Sequence, residues 1–495
     1  MGDKMNNIEN LVMPYNTDNF NVIKVEVNDD LKDVIKVEPI FSFGQFVDLD
    51  YEKFIQFSVG TNNIDDSNNF LKSMWRELDL EVSYDDKERC AWFYSPNKIR
   101  IGNKNISYFG IMDTKIGRIY VAVSYKRKGT IDNIMFFMTE LGFEEKYKPL
   151  FKRLVRQAKT NITKVYLYEV TLSVQGKFLN EQGKFPIYDY VYENFRIYNE
   201  NDTCKMKFKV SAYDFVDAKR VAYEKINRIL NFISVETNIY YEYKDIEVNR
   251  TDDCIKYEYD EDKYIYQDNI QLPDGKIEQG KFIELCPLYE NRILLSKKGV
   301  KLIGKIIDGD NKNIMKSFLE ACYHFKQGLE REYQLEERII NISAQQVFSI
   351  APIDIQNKQN ILDIAVTFYL SAIETVTLWD NKPDKCEACS QLKHQISNRV
   401  AKFMNTYLFP DEGGQLFKKI YELRSRYLHA GESVSSYSIG KNYPLLDERT
   451  GSGCVDQGFI TLSIKGEVSI IYITDIRELV SYSLREYYRN ELTEV

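Results

Sequence analysis

Arg424 and His429 stand five residues apart in the run from Tyr421 to Gly431, and His429 is one of three histidines in the chain. An imidazole passes protons near neutral pH, while a planar guanidinium grips a phosphate and meets the negative charge that builds during its transfer. Together the two residue types support phosphoryl chemistry without a metal. The pattern around them predicts a helix over Gln415 to Leu428, with Leu416, Phe417, Ile420, Tyr421, Leu423, Tyr427 and Leu428 near a helical repeat and Gly431 as the C′ cap. His429 then falls in the last turn, where the negative end of the helix dipole favours a cation. Five residues on an α-helix turn Arg424 about 140° away from His429, so bringing them together requires a distorted last turn or a second subunit.

The run resembles the Arg-x4-6-His signature of the HEPN superfamily, and its wording from Leu423 to Gly431, LRSRYLHAG, is most similar to the Apea-like HEPN branch of bacterial antiviral defence proteins. Upstream, Ser371 to Glu374 resembles that branch's Ala-Leu-Glu helix. Ile396 to Ala401 resembles its next helix, with Arg399 as the inward-pointing arginine. The three segments occur in the family's order and cover the last third of the chain.

The resemblance implies a metal-independent endoribonuclease without a cofactor. Its site is a composite of Arg and His at a homodimer interface, and an RNA 2′-hydroxyl attacks the adjacent phosphate. His429 would be the general base or acid, and Arg424 would stabilise the transition state. Ser425, one turn before His429, would orient the ring or the RNA. Arg426 shares more of His429's face and is the substitute arginine. Glu374 and Arg399 would support the site, as a buried ion pair or directly in the chemistry. Lys402, Lys418 and Lys419 are the candidate RNA contacts. The biological setting implied is abortive infection, with a toxin-like effector released by a phage-derived trigger at the N-terminal region. The alternative is a non-catalytic HEPN-like module that binds RNA, nucleotide or a protein. On spacing alone, an Arg and His that merely satisfy the last helical carbonyls is the plainer reading. The order and wording of the neighbouring segments favour the catalytic one.

The rest of the chain limits the alternatives. At 495 residues it is long enough for two or three domains, and 44% hydrophobic with 28% charged residues is ordinary for a soluble globular protein. The 36 Tyr and 28 Phe point to extensive sheet. A net charge of -8 argues against a surface that coats nucleic acid throughout, so RNA contact must be local. Lys148, Lys152, Arg153, Arg156 and Lys159 form a basic stretch that reads first as a solvated helix face. The start lacks a secretory pattern and no segment has the apolar length of a membrane span, so a cytoplasmic protein with no membrane partner is expected. Eight scattered cysteines do not resemble a disulfide framework. Cys386 and Cys389 followed by His394 lack a second cysteine pair, so a zinc site is disfavoured. Nucleotide-binding glycine loops and a Gly-x-Ser-x-Gly elbow are also missing from the sequence.

These readings predict an α+β multidomain chain. Residues 1–35 form a loosely ordered arm. Residues 36–310 form a β-rich sensor region that can divide at 160/161, and 311–495 an all-α HEPN bundle with a small β insertion. Strands are expected at Val37 to Val47, Phe54 to Val59, Arg89 to Tyr94 and Arg118 to Tyr125, then a helical pair over Ile131 to Leu141 and Lys146 to Thr160. Strands at Val165 to Leu172 and Lys205 to Val210 lead into an amphipathic helix over Val216 to Val235, with Asp214 as its N-cap. Tyr-rich strands between Ile239 and Ile307 read as a half-exposed sheet rather than a base-stacking surface. Helices follow at Ile314 to Glu332, Gln359 to Trp379, Cys386 to Tyr407, Gln415 to His429 and Thr474 to Glu491. Two strands lie between the last pair, at Phe459 to Ile464 and Val468 to Tyr472.

Overall fold

A computed structural model describes residues 35–38, 55–82, 90–93, 98–101, 104–125, 129–138, 147–177, 186–201, 203–253, 256–267, 288–309, 313–345, 352–378, 384–385, 392–393, 396–408, 412–434, 436–437, 445–446, 453–454, 458–464 and 467–492. The chain divides into two units, Met1–Tyr166 and Leu167–Val495. It is a mixed α+β structure whose strands lie mostly in the N-terminal half and whose helices lie mostly in the C-terminal half.

In the first unit, β1 (Ile35–Glu38), β2 (Ile55–Ser58), β3 (Cys90–Phe93), β4 (Lys98–Ile101), β5 (Lys104–Thr114), β6 (Gly117–Tyr125) and β7 (Ile131–Met138) form an antiparallel sheet in the order β1-β4-β5-β6-β7-β2, with β3 also paired to β5. The expected helix from Ile131 is therefore a strand. Asn133, Ile134, Met135 and Phe136 are buried in succession, and a continuous apolar run does not distinguish a buried strand from a buried helix. A core of Phe70, Met74 and Leu78 from α1 (Ile64–Val82), Phe151 and Leu154 from α2 (Lys148–Thr160), and Val121, Ile134 and Phe136 from the sheet holds the layers together. Arg76, buried on α1, donates to the carbonyls of Asn161 and Lys164 at the end of α2 and is neutralised by Glu77 at 2.7 Å. That satisfies carbonyls which a helix end would otherwise leave open. The basic stretch on α2 is partly engaged, Lys159 donating to the Ser58 and Val59 carbonyls at 3.0 and 2.8 Å and Arg153 pairing with Glu81.

The second unit begins with β8 (Tyr166–Lys177), β9 (Tyr190–Tyr192), β10 (Phe195–Glu200), β11 (Thr203–Ala212) and β12 (Tyr240–Thr251), ordered β12-β8-β11-β10-β9. Alternate residues of β8 and β11, among them Val170, Leu172, Met206 and Phe208, are buried. So is the stripe Ala218, Ala222, Ile226, Ile229 and Ile233 of α3 (Phe215–Thr237), which packs against β11 and β12. Asp214 caps α3 as its position predicts, accepting from the Asp217 N–H at 2.8 Å. The tyrosines of this region are divided: Tyr241 and Tyr266 are buried, Tyr190 stacks on Tyr266 at 5.6 Å, Tyr243, Tyr257, Tyr259 and Tyr264 are half-buried, and Tyr289 is exposed. Lys297–Asp308, expected as part of a strand-rich stretch, is a helix, α4, capped by Ser296 and ended by Gly309 at φ 85°.

The remaining elements are α5 (Asn313–Gln345), α6 (Pro352–Val376), α7 (Ile396–Tyr407), α8 (Glu412–Ala430), an antiparallel hairpin of Gly458–Ile464 and Glu467–Tyr472, and α9 (Ile473–Glu491). Helix α7 starts later than expected, after two-residue strands at Asp384–Lys385 and Leu392–Lys393. The expected boundary at 310/311 separates nothing. Phe232 of α3 meets Phe318 of α5 at 6.2 Å and Tyr488 of α9 at 5.2 Å, so one core spans both sides. Polar bonds reinforce it: Glu236, enclosed at the end of α3, accepts from Tyr488 at 2.5 Å and from the Ser296 N–H at 2.9 Å, with Arg489 at 3.5 Å. In the same way Glu332 of α5 accepts from Tyr369 of α6 and pairs with Arg477 of α9 at 2.9 Å. Gly328 of α5 is required beneath Tyr369, because a Cβ there would clash with the ring.

Lys326 of α5 is an ionisable group that this packing strains. Its ammonium lies 5.5 Å from the centroid of Tyr240, which stacks on Tyr333 at 5.6 Å. Burial pushes its pKa from 10.5 down to about 8, against the pull of Glu330 and Glu242. Because the folded value is the lower one, the unfolded chain binds more protons between the two pH values. Stability therefore rises with pH across that window, and the full cost is present at pH 7. Lys326→Met should stabilise the protein at pH 7 by about 1–2 kcal/mol, and the gain over the parent should vanish by pH 10.5 in paired urea titrations.

Candidate functional site

Helix α8 is seated on α7 through Gly414, whose N–H donates to Asn405 Oδ1 at 2.6 Å and whose missing Cβ leaves room for the Ala401 carbonyl. Phe417 and Ile420 are buried one and two turns along, and Arg424 continues the same stripe. The guanidinium thus enters the junction with α6 instead of the solvent. Arg424 Nη1 donates to Glu374 Oε2 at 3.0 Å and to the Tyr421 hydroxyl at 3.1 Å, and Nη2 donates to Ser371 Oγ at 3.1 Å. Ser371 gives its own proton to the Thr367 carbonyl at 2.8 Å, which leaves its lone pairs for Arg424. Burial first, and Glu374 second, raise the pKa of Tyr421, so its hydroxyl keeps its proton at neutral pH. With side-chain exposures of 13% and 21%, the Arg424–Glu374 pair is shielded well beyond a surface salt bridge.

Arg399 of α7 reaches the same junction. Its charge is felt by the Tyr421 phenol, and its buried Nε and Nη2 find no hydrogen-bond partner among the described residues. Glu374 therefore pairs with Arg424, and the ion pair between Glu374 and Arg399 that the sequence allowed is not formed. His324 of α5, read from sequence as a core or interface residue, also belongs here. Its ring lies 6.2 Å from that of Phe368 on α6, and burial lowers its pKa against the pull of Glu320 and Glu374.

His429 lies apart from this set. It is exposed in the last turn of α8, and no hydrogen bond or ion pair joins it to any described residue, Ser425 and Arg424 included. Arg426 is exposed and pairs with Glu432 at 3.3 Å. Lys402, Lys418 and Lys419 are exposed, with Lys419 3.1 Å from Glu422. The helix ends as the sequence predicts: Gly431 has φ 70° and donates to the Tyr427 carbonyl at 3.0 Å. The chain beyond it is fixed by buried Asp363 of α6, which accepts from Ser433 Oγ at 2.7 Å and from the Val434 N–H at 3.1 Å. Cys386, Cys389 and His394 lie outside the described residues.

The donor set of the junction fits an anion better than a metal. Arg424 is paired with the one carboxylate, Glu374, while Arg399 keeps two buried nitrogens without a hydrogen-bond partner among the described residues, and among those residues no group of three or more His, Cys, Asp or Glu is placed to hold a cation. Likewise, no helix among the described residues is long and apolar enough to cross a membrane. Comparison with protein-family models, curated proteins and solved structures finds no match for the chain.

Sequence reasoning found Glu374, Arg399 and Arg424 by the wording of their segments but passed over Ser371 as a ligand of Arg424 and Tyr421 as a member of the site. A spacing signal existed for both. Ser371 precedes Glu374 by three residues and Tyr421 precedes Arg424 by three, which places each pair on one helix face. Asp363→Ala should cost about 1–3 kcal/mol, because the Val434 N–H is left buried and unpaired. The loss should appear as a lower urea midpoint and as faster hydrogen exchange confined to the Val434 end of α8.

Proposed function

We propose that the chain is a metal-independent endoribonuclease of the HEPN type, acting as a homodimer, with α5–α9 as its nuclease bundle. The observation that carries the reading is convergence. Ser371 with Glu374, and Arg424, come from two separate sequence segments that each resemble the family, and they meet through direct hydrogen bonds, with Arg399 of the third segment on the adjoining helix α7. His429 is exposed in the last turn of the helix that carries Arg424, where it is open to a substrate.

In this reading the RNA 2′-oxygen forms a bond to the adjacent phosphorus while the bond from phosphorus to the 5′-oxygen breaks. His429 takes the 2′-hydroxyl proton, and an imidazolium supplies the proton that the departing 5′-oxygen needs. Arg424 meets the charge on the non-bridging oxygens. The products are a 2′,3′-cyclic phosphate and a 5′-hydroxyl. Because Arg424 is held in the α6 junction and His429 faces outward, the histidine acting on a given phosphate comes from the second subunit. The wider setting is abortive antiviral defence in the cytoplasm, with the strand-rich N-terminal region responding to a phage-derived trigger.

One observation favours a second reading, a bundle that binds RNA, nucleotide or a protein without cutting. Three side chains already satisfy Arg424, and Glu374 neutralises its charge. Incubation of the purified full chain with total RNA in EDTA separates the two readings. The nuclease reading predicts cleavage to cyclic-phosphate ends, lost by about a hundredfold or more in His429→Ala and by a similar factor in Arg424→Lys. Undiminished cleavage by His429→Ala would exclude it, and RNA retention without any cleavage would favour the binding module.

A further inference from the structure

From Lys146 to Lys164 the chain places seven basic residues and no acidic one, although acidic residues outnumber basic ones over its whole length. Most of the run is α2, whose apolar side, Phe151, Leu154, Val155 and Ala158, is buried in the core of the first unit. Along its outer side Lys148, Lys152, Arg156 and Lys159 are exposed, a row about 16 Å long. Arg153, on the flank of the row, is neutralised by Glu81 of α1, and Lys159 keeps its charge while it holds the Ser58 and Val59 carbonyls. Of the other carboxylates described on α1, Glu77 is buried against Arg76, Asp66 accepts from Asn63, and Asp65 stands beside Asp66 in the first turn. Among the described residues neither Lys152 nor Arg156 has an ion pair or a side-chain hydrogen bond. On α3, by contrast, exposed cations are matched within the helix: Arg220 pairs with Asp217 at 3.0 Å and with Glu224 at 3.5 Å, and Arg228 pairs with Glu224 at 2.7 Å. On α2 the i,i+4 neighbours Lys152 and Arg156 repel instead.

We propose that this row is a docking surface for the phosphate backbone of RNA, with Lys152 and Arg156 as its free contacts and Lys148 and Lys159 on either side of them. The choice of RNA rests on the reading of the chain as a ribonuclease, and the row gives the first unit a contact of its own with that class of molecule. A lipid surface would require an apolar helix face to enter it, and that of α2 is already enclosed. Interfaces with proteins centre on aromatic and apolar side chains and are poor in lysine, the reverse of this row. A line of single cations matches a line of phosphates, each with one negative charge, and it touches no base edge, so it holds RNA without regard to sequence. The net charge of -8 confines such contact to a local surface, and α2 supplies one.

The test uses a labelled mixed-sequence RNA oligonucleotide whose 2′-hydroxyls are all methylated, so that it cannot be cut, titrated with the full chain in EDTA at several salt concentrations and followed by fluorescence anisotropy. Lys152→Gln combined with Arg156→Gln should weaken binding about tenfold and make the dependence of log Kd on log salt shallower by about 1.4, roughly 0.7 for each lost phosphate contact. The thermal midpoint should not fall, because both side chains are exposed. Lys152→Arg combined with Arg156→Lys should keep the affinity and the slope. A parent chain that does not hold the oligonucleotide, or a glutamine variant with unchanged affinity and slope, overturns the proposal. Displacement of the oligonucleotide by polyglutamate at equal charge concentration also overturns it and assigns the row to an acidic protein. Binding that depends on Lys152 and Arg156 in a chain that cuts no natural RNA supports the row and removes the nuclease reading. Cleavage by a chain whose binding ignores both residues removes the row and leaves the nuclease reading intact.

Discussion

The ion pair between Arg424 and Glu374 is the constraint on which the site depends. It joins α8 to α6, and its partners are fixed in turn by Ser371 and Tyr421. Half-buried charges are tolerated only when paired and hydrogen-bonded, so the bond sets how α8 is rotated against its neighbours. That rotation decides the rest: Arg424 must face inward, and the last turn then presents His429 and Leu428 to the outside. The same device recurs in this unit, where Glu332 meets Arg477 and Glu236 meets Arg489, each with a tyrosine hydroxyl on the carboxylate. These networks draw α9 against both α5 and α3, which is why the strand–helix module and the later helices form one unit.

Where local physics decides the structure, the sequence was legible. Asp214 and the apolar stripe of α3, the Gly431 end of α8 and the hairpin before α9 follow from capping chemistry and periodicity. Where tertiary burial decides, it was not. The apolar run of β7 has no period to read, and α1 was not anticipated because Asp65, Asp66, Asn68 and Asn69 crowd its first turns, although Phe70, Met74 and Leu78 supply its buried face. The division at 310/311 failed for a related reason: composition changes there, but the aromatic contacts of Phe232 cross it.

The site shows the same split. Glu374 and Arg424 could be named from the wording of their segments, and Ser371 and Tyr421 from three-residue spacing on the same helices. His324 could not, since its place beside Phe368 arises only when α5 packs on α6. The sequence also gave a correct warning about geometry. In one chain Arg424 and His429 do not meet, and the structure supplies the cause, a guanidinium anchored inward and an imidazole left outside.

The account therefore stands or falls on whether a second subunit completes the site, and co-expression of Arg424→Gln with His429→Ala tests that directly. Each variant alone should be inactive on RNA. If one protomer's Arg424 works with the other's His429, mixed dimers retain one intact site, and random pairing should restore about a quarter of the parental rate. A mixture no more active than either variant alone would contradict the composite site and, with it, the central claim.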